Sequence, residues 1–530
     1  MPANPSPELV IRGASIPRPH RRELDRGAVV IAEGRIAAVL PDDVGIDPAV
    51  PRIDAAGRVV LPGLIDAHSH AEAALGEPEA ELAMLRQGVT SAVIGQDGVS
   101  FAPASGSAAH ELSRYFAAIN GPVPAALAAG TDLATARREL TAPARVNAAL
   151  LVPCGNLRAS RAGFGSAPLT DDELASVERD ARLALDQGAV GLSLGLEYVP
   201  GGFADQRELL AYARIAAEHG VPLVAHIRGY EERSPEGLAE FIGLARGTGA
   251  SLHVSHLHGP AELILPRIDA AIASGVDLTF DSYPYRRGNT ILAMLALPAE
   301  LQRGGPTATL EALADPGLLD RLEREWFPDA AELLSRVTIS FAPHPDWTWI
   351  EGRLLNEAAL ETGRSAGALV CELLRATELA TGAIVQQPEA NRVSDLRAIA
   401  GHAAHLGSSD GVYLGSRPHP RGWGSFARML RRHVLEWGDW SWWDAAEHLS
   451  GRAARRFGLA GRGSLTAGSV ADLALIDPGS LYDRADYDNP RVPADGVLDV
   501  LVAGVPTLSA GRLTEYLGGR GIPDHARSSA

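Results

Sequence analysis

Two histidines stand two positions apart in the stretch GLIDAHSH, residues 63–70, directly after a short apolar run. Side chains at positions i and i+2 of an extended strand point the same way, so His68 and His70 can face one site. Further candidate ligands are single residues at the ends of later apolar runs: Asp97, His226, His256 and Asp410. Imidazole and carboxylate groups are ligands that Zn²⁺ and similar divalent ions prefer. Any one of these histidines could be an ordinary core residue, but together the six residues predict a metal site.

These candidates can meet only if the runs that precede them lie side by side. Eight apolar runs with strand character alternate with helical segments: RVVLPGLIDAH, TSAVIGQD, NAALLVPCGN, AVGLSLGLE, PLVAHIR, SLHVSHLH, DLTFDSYPY and GHAAHLGSSD. The clearest helix is TDDELASVERDARLALDQG, where Thr170 and Glu173 form a capping-box pattern and Gly188 marks the end. This alternation predicts an α/β protein with a (β/α)₈ TIM-like barrel, whose chemistry lies at the carboxyl ends of the strands.

The two ends of the chain have a different pattern from the middle. Short Val- and Ile-rich runs between turn residues occur in ELVIRGASI and GAVVIAEGRIAAVLPD, and again in GSLTAGSVADLALIDP and GVLDVLVAGVPTLSAGRL. We therefore expect residues 1–62 and 465–525 to form one small β-sandwich domain and residues 63–464 to form the barrel. Residues from about 286 to 349 fit no strand–helix unit and are expected to be an inserted loop or lid.

The composition restricts the partners and the compartment. A net charge of −17 disfavours nucleic acid and anionic membrane surfaces as partners. The N-terminus has no signal-peptide pattern, no apolar stretch is long enough to span a bilayer, and only two cysteines are present. These features predict a reducing, cytoplasmic location. All 48 basic residues are arginine, which excludes any chemistry that requires a lysine.

Six motifs resemble, in order and over nearly the whole chain, those of the amidohydrolase superfamily: LPGLIDAHSH, VAHIR, HVSHLH, FDSYPY, GSSDG and HPRGWGSF. More narrowly, they resemble its N-acyl-D-amino-acid deacylases, or D-aminoacylases. The resemblance implies a barrel hydrolase that acts on small N-acyl amino acids and uses one or two Zn²⁺ ions. It makes His68, His70, His226 and His256 metal ligands, and Asp410 the residue that moves the catalytic proton. It also makes a homo-oligomer reasonable.

Two positions depart from the family pattern. Family members commonly have Gly-Asn-Cys-Gly after the second strand, with the cysteine on the metal, whereas this chain has GQDG, with Asp97 at that position. A carboxylate can bind or bridge zinc, but an aspartate before a glycine also caps turns, so both interpretations of Asp97 stay open. The second departure is His258, which stands where the family usually has a lysine.

The absence of lysine also bears on how two metal ions could be bridged. Hydantoinases, dihydroorotases and phosphotriesterase-like enzymes resemble this outline but use a carboxylated lysine as the bridge. In this chain a bridge would have to be Asp97, with Glu197 and then Cys154 as poorer candidates.

The chemistry expected of such a site is hydrolysis of an amide. A metal lowers the pKa of a bound water to about 7, so hydroxide is available at neutral pH. Asp410 would take the proton of this water and deliver it to the leaving amine. A carboxylate on the substrate needs donors such as the planar fork of arginine, and the family's substrate-binding arginine matches Arg421. The predicted substrate contacts are Arg228, His258, Tyr283 and Arg421, with Arg286 and Arg287 as weaker candidates that could equally be surface charges.

Two other functions stay open. One is another amide, ester or carbamate hydrolase on the same scaffold. Three observations favour it: the departures from the family pattern at Asp97 and at His258, and the tryptophans of PDWTWIEG. The other is a non-catalytic metal-binding protein that retains the barrel. A zinc assay and a panel of N-acyl-D- and N-acyl-L-amino acids distinguish the three.

Overall fold

The computed structural model describes residues 8–142 and 144–522, so residues 1–7 and 523–525 of the predicted β domain lie outside the described residues. The described chain is an α/β protein with parallel sheets. Within these ranges no helix combines the length and the apolar character needed to cross a membrane.

Eight short parallel strands carry the candidate ligands. They are β1 (Leu64–Asp66), β2 (Val89–Ile94), β3 (Asn147–Leu150, continued by Val152–Pro153), β4 (Leu192–Gly195), β5 (Leu223–His226), β6 (Leu252–Val254), β7 (Leu278–Ser282) and β8 (His405–Gly407). Each strand pairs in parallel with the next along the chain, because the two parts of β3 pair with β2 and β4 respectively. Nearly every residue of these strands is buried, as expected of parallel strands covered on both faces.

The pairing returns from the last strand to the first. Ala67 N donates to Gly407 O at 3.3 Å, and the short strand Ser69–His70 pairs in parallel with Gly411–Val412. The segments that follow β1 and β8 are therefore held side by side, and these are the segments that carry His68, His70 and Asp410.

Helices connect the strands. The predicted capping box is confirmed: Glu173 N donates to Thr170 Oγ1 at 3.3 Å, and Thr170 N donates to Glu173 Oε2 at 2.8 Å, at the start of Asp171–Asp186. The other connecting α-helices are Pro78–Leu85, Gly106–Tyr115, Ala117–Asn120, Leu133–Thr141, Cys154–Ala162, Gln206–His219, Ser234–Ala245, Ala261–Ala273, Val393–Ala400, Arg421–Met429, Trp442–Ala446 and Arg452–Arg456. Single turns of π-helix, Leu430–Glu436 and Glu447–Gly451, join the last three.

The two chain ends share one nine-stranded sheet. Its N-terminal strands are Leu9–Pro17, Leu24–Ala32, Arg35–Pro41, Arg52–Asp54 and Val59–Pro62, and its C-terminal strands are Leu473–Ile476, Val497–Val502, Val505–Ser509 and Arg512–Leu513. Val59–Pro62 pairs antiparallel with Leu473–Ile476, which joins the two groups. The predicted first strand, RVVLPGLIDAH, is thus divided: its first half belongs to this sheet and its second half is β1.

The division falls at Gly63, where the chain passes from the nine-stranded sheet to β1 and packs closely against β2. A Cβ at Gly63 would lie 2.2 Å from Thr90 Oγ1 of β2, so only glycine lets the chain pass so close.

The segment between β7 and β8 forms a substructure of its own. Its strands Arg287–Ile291, Val337–Phe341 and Gly382–Gln386 make an antiparallel sheet, with the last strand in the middle. Its helices are Leu292–Ala296, Gly305–Leu313, Pro316–Arg321, Phe327–Ser335, Leu355–Thr362 and Ala366–Ala376. The predicted bounds of about 286–349 include the first two strands, but the third strand lies further along the chain.

Candidate metal centre and substrate contacts

The six predicted ligands converge at the carboxyl ends of the strands. His68 and His70 follow β1, Asp97 follows β2, His226 ends β5, His256 follows β6 and Asp410 follows β8. All six side chains are buried.

Asp97 belongs to two groups of possible metal donors. The first group is His68, His70 and Asp97, and the second is Asp97, His226 and His256; within each, the donor atoms lie within 4.8 Å of one another. Asp97 Oδ1 lies 3.6 Å from His68 Nε2, and Oδ2 lies 3.4 Å from His70 Nε2. In the second group, His256 Nε2 lies 3.6 Å from Oδ1 and His226 Nδ1 lies 3.9 Å from Oδ2.

The backbone around Asp97 explains how one carboxylate reaches four imidazoles. Asp97 itself has φ 54°, between Gly95 at 79° and Gly98 at 70°, so the chain turns sharply after β2. A Cβ at Gly98 would lie 2.7 Å from Gly195 N, so the turn packs directly on β4. Asp97 Oδ1 has no hydrogen-bond donor among the described residues, which the turn-capping interpretation does not account for.

Several polar atoms of the first donor group have no hydrogen-bond partner in the described part of the chain, whereas His226 Nδ1 of the second group lies 3.1 Å from His256 Nε2. His68 Nδ1 and Nε2, His70 Nδ1 and Asp97 Oδ1 are buried without a hydrogen bond within residues 8–142 and 144–522. Unpaired buried polar atoms are costly and usually mark an ion or a function. Two donors at about 2.0–2.1 Å from a tetrahedral ion lie about 3.4 Å apart, which matches the 3.4 and 3.6 Å between the first group's histidines and Asp97.

Electrostatics in the cluster favours a cation. Burial raises the pKa of Asp97, but the neighbouring His68 and His256 outweigh burial and hold that pKa well below its usual range. Burial lowers the pKa of His70, but Asp410 and Asp97 raise it to about 9. Asp97 is therefore ionised, and its histidine neighbours attract protons that a divalent ion would displace.

Two further carboxylates lie behind the donor groups, and one of them hydrogen-bonds an imidazole. His226 Nε2 donates to Glu197 Oε2 at 3.0 Å, which leaves His226 Nδ1 facing Asp97. Asp281, buried in β7, accepts from His256 N at 3.0 Å and lies 3.8 Å from His68 Nδ1. Carboxylates on the far nitrogen of ligating histidines fix the tautomer and raise the basicity of the ligand.

The two other candidates for a bridge, Glu197 and Cys154, lie outside the two donor groups. Glu197 lies behind His226 rather than between the two donor groups. Cys154 is in neither group: it begins the helix Cys154–Ala162 with its Sγ 3.7 Å from Val152 O. Asp281 is a site residue that the sequence analysis missed, and its only signal is an acidic residue inside the apolar run DLTFDS.

Asp410 stands between the first donor group and a buried arginine. Its Oδ1 lies 3.4 Å from His70 Nε2, and its Oδ2 lies 2.7 Å from Arg421 Nη1. Asp410 N donates to His68 O at 2.8 Å, which fixes the residue beside β1. Burial raises the pKa of Asp410, but the Arg421 charge and the hydrogen bond with His70 bring it below its ordinary value, so Asp410 is a carboxylate at neutral pH.

Tyr283 and Asn289 complete the surroundings of Arg421. The guanidinium lies 4.7 Å from the centre of the Tyr283 ring, and its Nη2 donates to Asn289 O at 3.2 Å. Two of the predicted substrate contacts, Arg421 and Tyr283, are therefore brought beside Asp410, and Asn289 is a neighbour that the sequence analysis did not single out.

His258 lies next to the second donor group. Its ring stacks on Tyr230, with 4.8 Å between centroids and 15° between planes. Burial, followed by the charges of His256 and His226, lowers the pKa of His258 to about 3. The residue is therefore neutral at pH 7 and can offer a hydrogen bond, but not the positive charge of a lysine.

The side chain of Arg228 contacts Gly202 and Glu240. Its Nη1 donates to Gly202 O at 2.5 Å, and its Nε lies 3.2 Å from Glu240 Oε2. These contacts attach the loop after β4 to the helix Ser234–Ala245, and the structure does not bring Arg228 to Asp410. Arg287 lies 4.0 Å from the Tyr487 ring, and Arg286 Nη2 donates weakly to Pro388 O at 3.5 Å.

Known proteins share this architecture over almost the full length. Residues 52–508 match the model of a family described as the amidohydrolase family. Over 494 residues the chain is 33% identical to N-acyl-D-glutamate deacylase of Alcaligenes xylosoxydans xylosoxydans, which covers 91% of this chain and 89% of that protein.

Two solved structures are similar as well. One is N-acyl-D-glutamate deacylase from Bordetella bronchiseptica, complexed with zinc and a phosphonate inhibitor that mimics the tetrahedral intermediate. It has a TM-score of 0.79 at 29% identity and covers 98% of this chain and 99% of that chain. The other is a D-aminoacylase described as having a binuclear metal centre, with a TM-score of 0.81 at 28% identity over 97% of this chain and 99% of that chain. The chain belongs to the amidohydrolase family and, within it, to the N-acyl-D-amino-acid deacylases.

Proposed function

We propose that this protein is a zinc-dependent hydrolase that removes the acyl group from N-acyl-D-amino acids. The observation that supports it most directly is the sharing of Asp97 between two groups of histidines beside Asp410. The similar proteins support zinc as the metal and D-amino acids as the products, since one was solved with zinc and is named for its N-acyl-D-glutamate substrate.

The proposed ligands are His68, His70, Asp97, His226 and His256, with Asp410 beside the first group. Asp97 takes the bridging place that a cysteine or a carboxylated lysine has in related enzymes, and both carboxylate oxygens face histidines. Zn²⁺, when bound, supplies polarisation of the amide carbonyl and a water of near-neutral pKa.

Asp410 carries the proton. Its Oδ1 faces the donor groups, where water attacks, and its Oδ2 is held by Arg421 Nη1 at 2.7 Å. Because its pKa is low, Asp410 begins as a carboxylate, accepts the proton of the attacking water, and then donates it to the nitrogen of the leaving amine. The ion pair with Arg421 prevents the carboxylate from rotating away.

The substrate carboxylate is proposed to bind at Arg421, Tyr283 and His258. Arg421 keeps Nε without a hydrogen-bond partner among the described residues, so its fork retains a donor for a second anion. His258 has an unpaired, buried Nδ1. The contacts of Arg228 support a bracing role for the loop after β4 in place of the predicted substrate contact.

The proposed architecture is a (β/α)₈ barrel over residues 63–464 with a small β-sandwich domain from residues 1–62 and 465–525. The pairing of eight parallel strands in chain order, with a return from β8 to β1, supports the barrel. The sheet shared by both chain ends supports the small domain. The segment from about residue 286 onward is proposed as a lid, since Asn289 reaches Arg421.

We further propose a cytoplasmic enzyme that binds neither nucleic acid nor membranes and forms a homo-oligomer. The net charge of −17 supports the lack of anionic partners. Light scattering after size-exclusion chromatography tests the assembly.

One experiment tests the function. Zinc-loaded protein is incubated with a panel of N-acetyl-D- and N-acetyl-L-amino acids, and the release of free amine is measured. We expect release from D substrates, and its loss on chelation and recovery with zinc. Hydrolysis of other amides, esters or carbamates without release of any D-amino acid would instead support the second candidate, which the presence of neutral His258 in place of lysine favours.

A further inference from the structure

A cavity of about 280 Å³ adjoins the first donor group, and His70 forms part of its wall. The rest of the wall is mainly apolar and includes Ala73, Ala74, Ile119, Leu414 and Trp423. The charged groups Glu77, Glu79 and Arg491 are exposed and stand at its outer end. A concave, largely apolar space beside a reactive centre is typical of a ligand subsite.

The cavity adjoins His70, and His70 and Arg421 face different oxygens of the Asp410 carboxylate. Asp410 Oδ2 points to Arg421, whereas Oδ1 points to His70 at 3.4 Å. A substrate whose carboxylate is held at Arg421, and whose amide is attacked beside Asp410, has its acyl chain on the His70 side. The acyl chain therefore leads towards the cavity. This inference rests on the proposed function.

We propose that this cavity binds the acyl chain of the substrate and makes the enzyme prefer uncharged acyl groups longer than acetyl. The apolar part of the wall consists mainly of alanine, isoleucine, leucine and tryptophan side chains, and burying methylene groups of an acyl chain against them is favourable. At the outer end, Arg491 Nε donates to Glu79 Oε1 at 2.7 Å, and Glu77 adds a second carboxylate. An acyl chain that ends in a carboxylate, such as succinyl, meets this negative charge.

The first test is an acyl-length series on one D-amino acid: acetyl, butyryl, hexanoyl and succinyl. We expect kcat/KM to rise about fourfold per methylene, equivalent to about 0.8 kcal/mol each, until the cavity is full. Succinyl should fall below butyryl. A series that is flat or falls from acetyl to hexanoyl overturns the proposal but leaves the deacylase function standing. An absence of turnover on every D substrate contradicts the function itself.

Two variants change the cavity in opposite directions. Ala73→Phe places a ring inside it from a half-buried position, and should lower the ratio of hexanoyl to acetyl kcat/KM at least tenfold. Leu414→Ala enlarges it and should move the optimum to a longer chain. Matched controls are Ala129→Phe and Leu183→Ala, which are exposed positions beside a different cleft and should keep the wild-type ratio.

A binding measurement removes the dependence on turnover. Calorimetric titration of zinc-loaded protein with the product acids should give tighter binding of hexanoate than of acetate, and Ala73→Phe should abolish the difference. If Ala73→Phe does not fold, Leu414→Ala still decides. Wild-type ratios in every folded cavity variant refute the proposal.

Discussion

Replacing Asp410 with asparagine removes the group that we assign to proton transfer while keeping its size. Asp410 Oδ1 lies 3.4 Å from His70 Nε2, and Oδ2 lies 2.7 Å from Arg421 Nη1. An amide cannot accept a proton at neutral pH, and general acid–base catalysis typically contributes about 10²–10⁴-fold to a rate. We therefore expect kcat for an N-acyl-D-amino acid to fall about 10²–10⁴-fold, with zinc content changing much less because four histidines and Asp97 remain.

The substitution also removes the counter-ion of a fully buried guanidinium. Removing one partner of a buried ion pair typically costs about 3–5 kcal/mol of unfolding free energy. Asparagine keeps an oxygen that can accept from Arg421, so we expect the loss to stay below this range. Denaturant titration of the metal-free protein measures it.

The assay compares kcat at equal zinc content, determined by mass spectrometry of the metal, for wild type and Asp410→Asn. The matched control is Asp172→Asn, the same chemical change at an exposed position in the first turn of Asp171–Asp186. Turnover by Asp410→Asn close to that of the control would refute the assignment of the catalytic proton to Asp410.

Four further predictions concern the surroundings of the metal. Glu197→Gln keeps a hydrogen bond to His226 but removes the negative charge of the Glu197 carboxylate, so zinc affinity should fall about 10–100-fold. Unchanged zinc affinity in a competition titration would be inconsistent with an orienting role for Glu197. Carboxylates raise the pKa of His70 and His226 to about 9 despite burial, so zinc displaces protons at pH 7, and its affinity should rise from pH 6 towards pH 9. The same raised pKa values mean that the protonated imidazoles stabilise the metal-free fold. This stabilisation is complete below a pH of about 6.5 and should be lost as the pH rises through about 9. Thermal unfolding of the metal-free protein across this pH range measures it. Asp281→Asn should lower the unfolding free energy by about 1–3 kcal/mol, because it weakens the partner of the buried His253; stability equal to wild type in urea would contradict this.

Much of the candidate site can be predicted from the sequence because its residues lie at the ends of strands. His68 and His70 share one face after β1, and His226, His256 and Asp410 each follow a recognisable apolar run. The strand pattern therefore indicates which side chains meet, since parallel strands bring their carboxyl ends together. No long-range information is needed for that step.

Two side chains are harder to place from the sequence, each for its own physical reason. Arg228 is two residues past His226, but the chain has left β5 and Gly229 has φ 101°, so strand alternation no longer decides where the side chain points. Asp281 has the opposite problem. It lies within β7, and its contacts are with His253 of β6 and with the backbone of His256 just after β6, which no local sequence pattern indicates.

The sequence predicts an insertion from about residue 286 to 349, and the antiparallel sheet between β7 and β8 extends beyond these bounds to Gln386. Its middle strand, Gly382–Gln386, pairs with strands that begin about 45 and 95 residues earlier, at Val337 and Arg287. Antiparallel pairing at such separations leaves no local pattern, because only the packed partner defines it.

The central claim is that Asp97 is shared by two metal-binding groups, and metal stoichiometry tests it most directly. Zinc bound per chain should be measured at saturation for wild type, Asp97→Ala and Asp97→Cys, together with thermal unfolding to confirm folding. We predict two ions in the wild type, loss of at least one ion in Asp97→Ala, and recovery in Asp97→Cys, whose thiolate can replace the carboxylate. A folded Asp97→Ala protein that binds as many ions as the wild type, with the same affinity, would contradict the account.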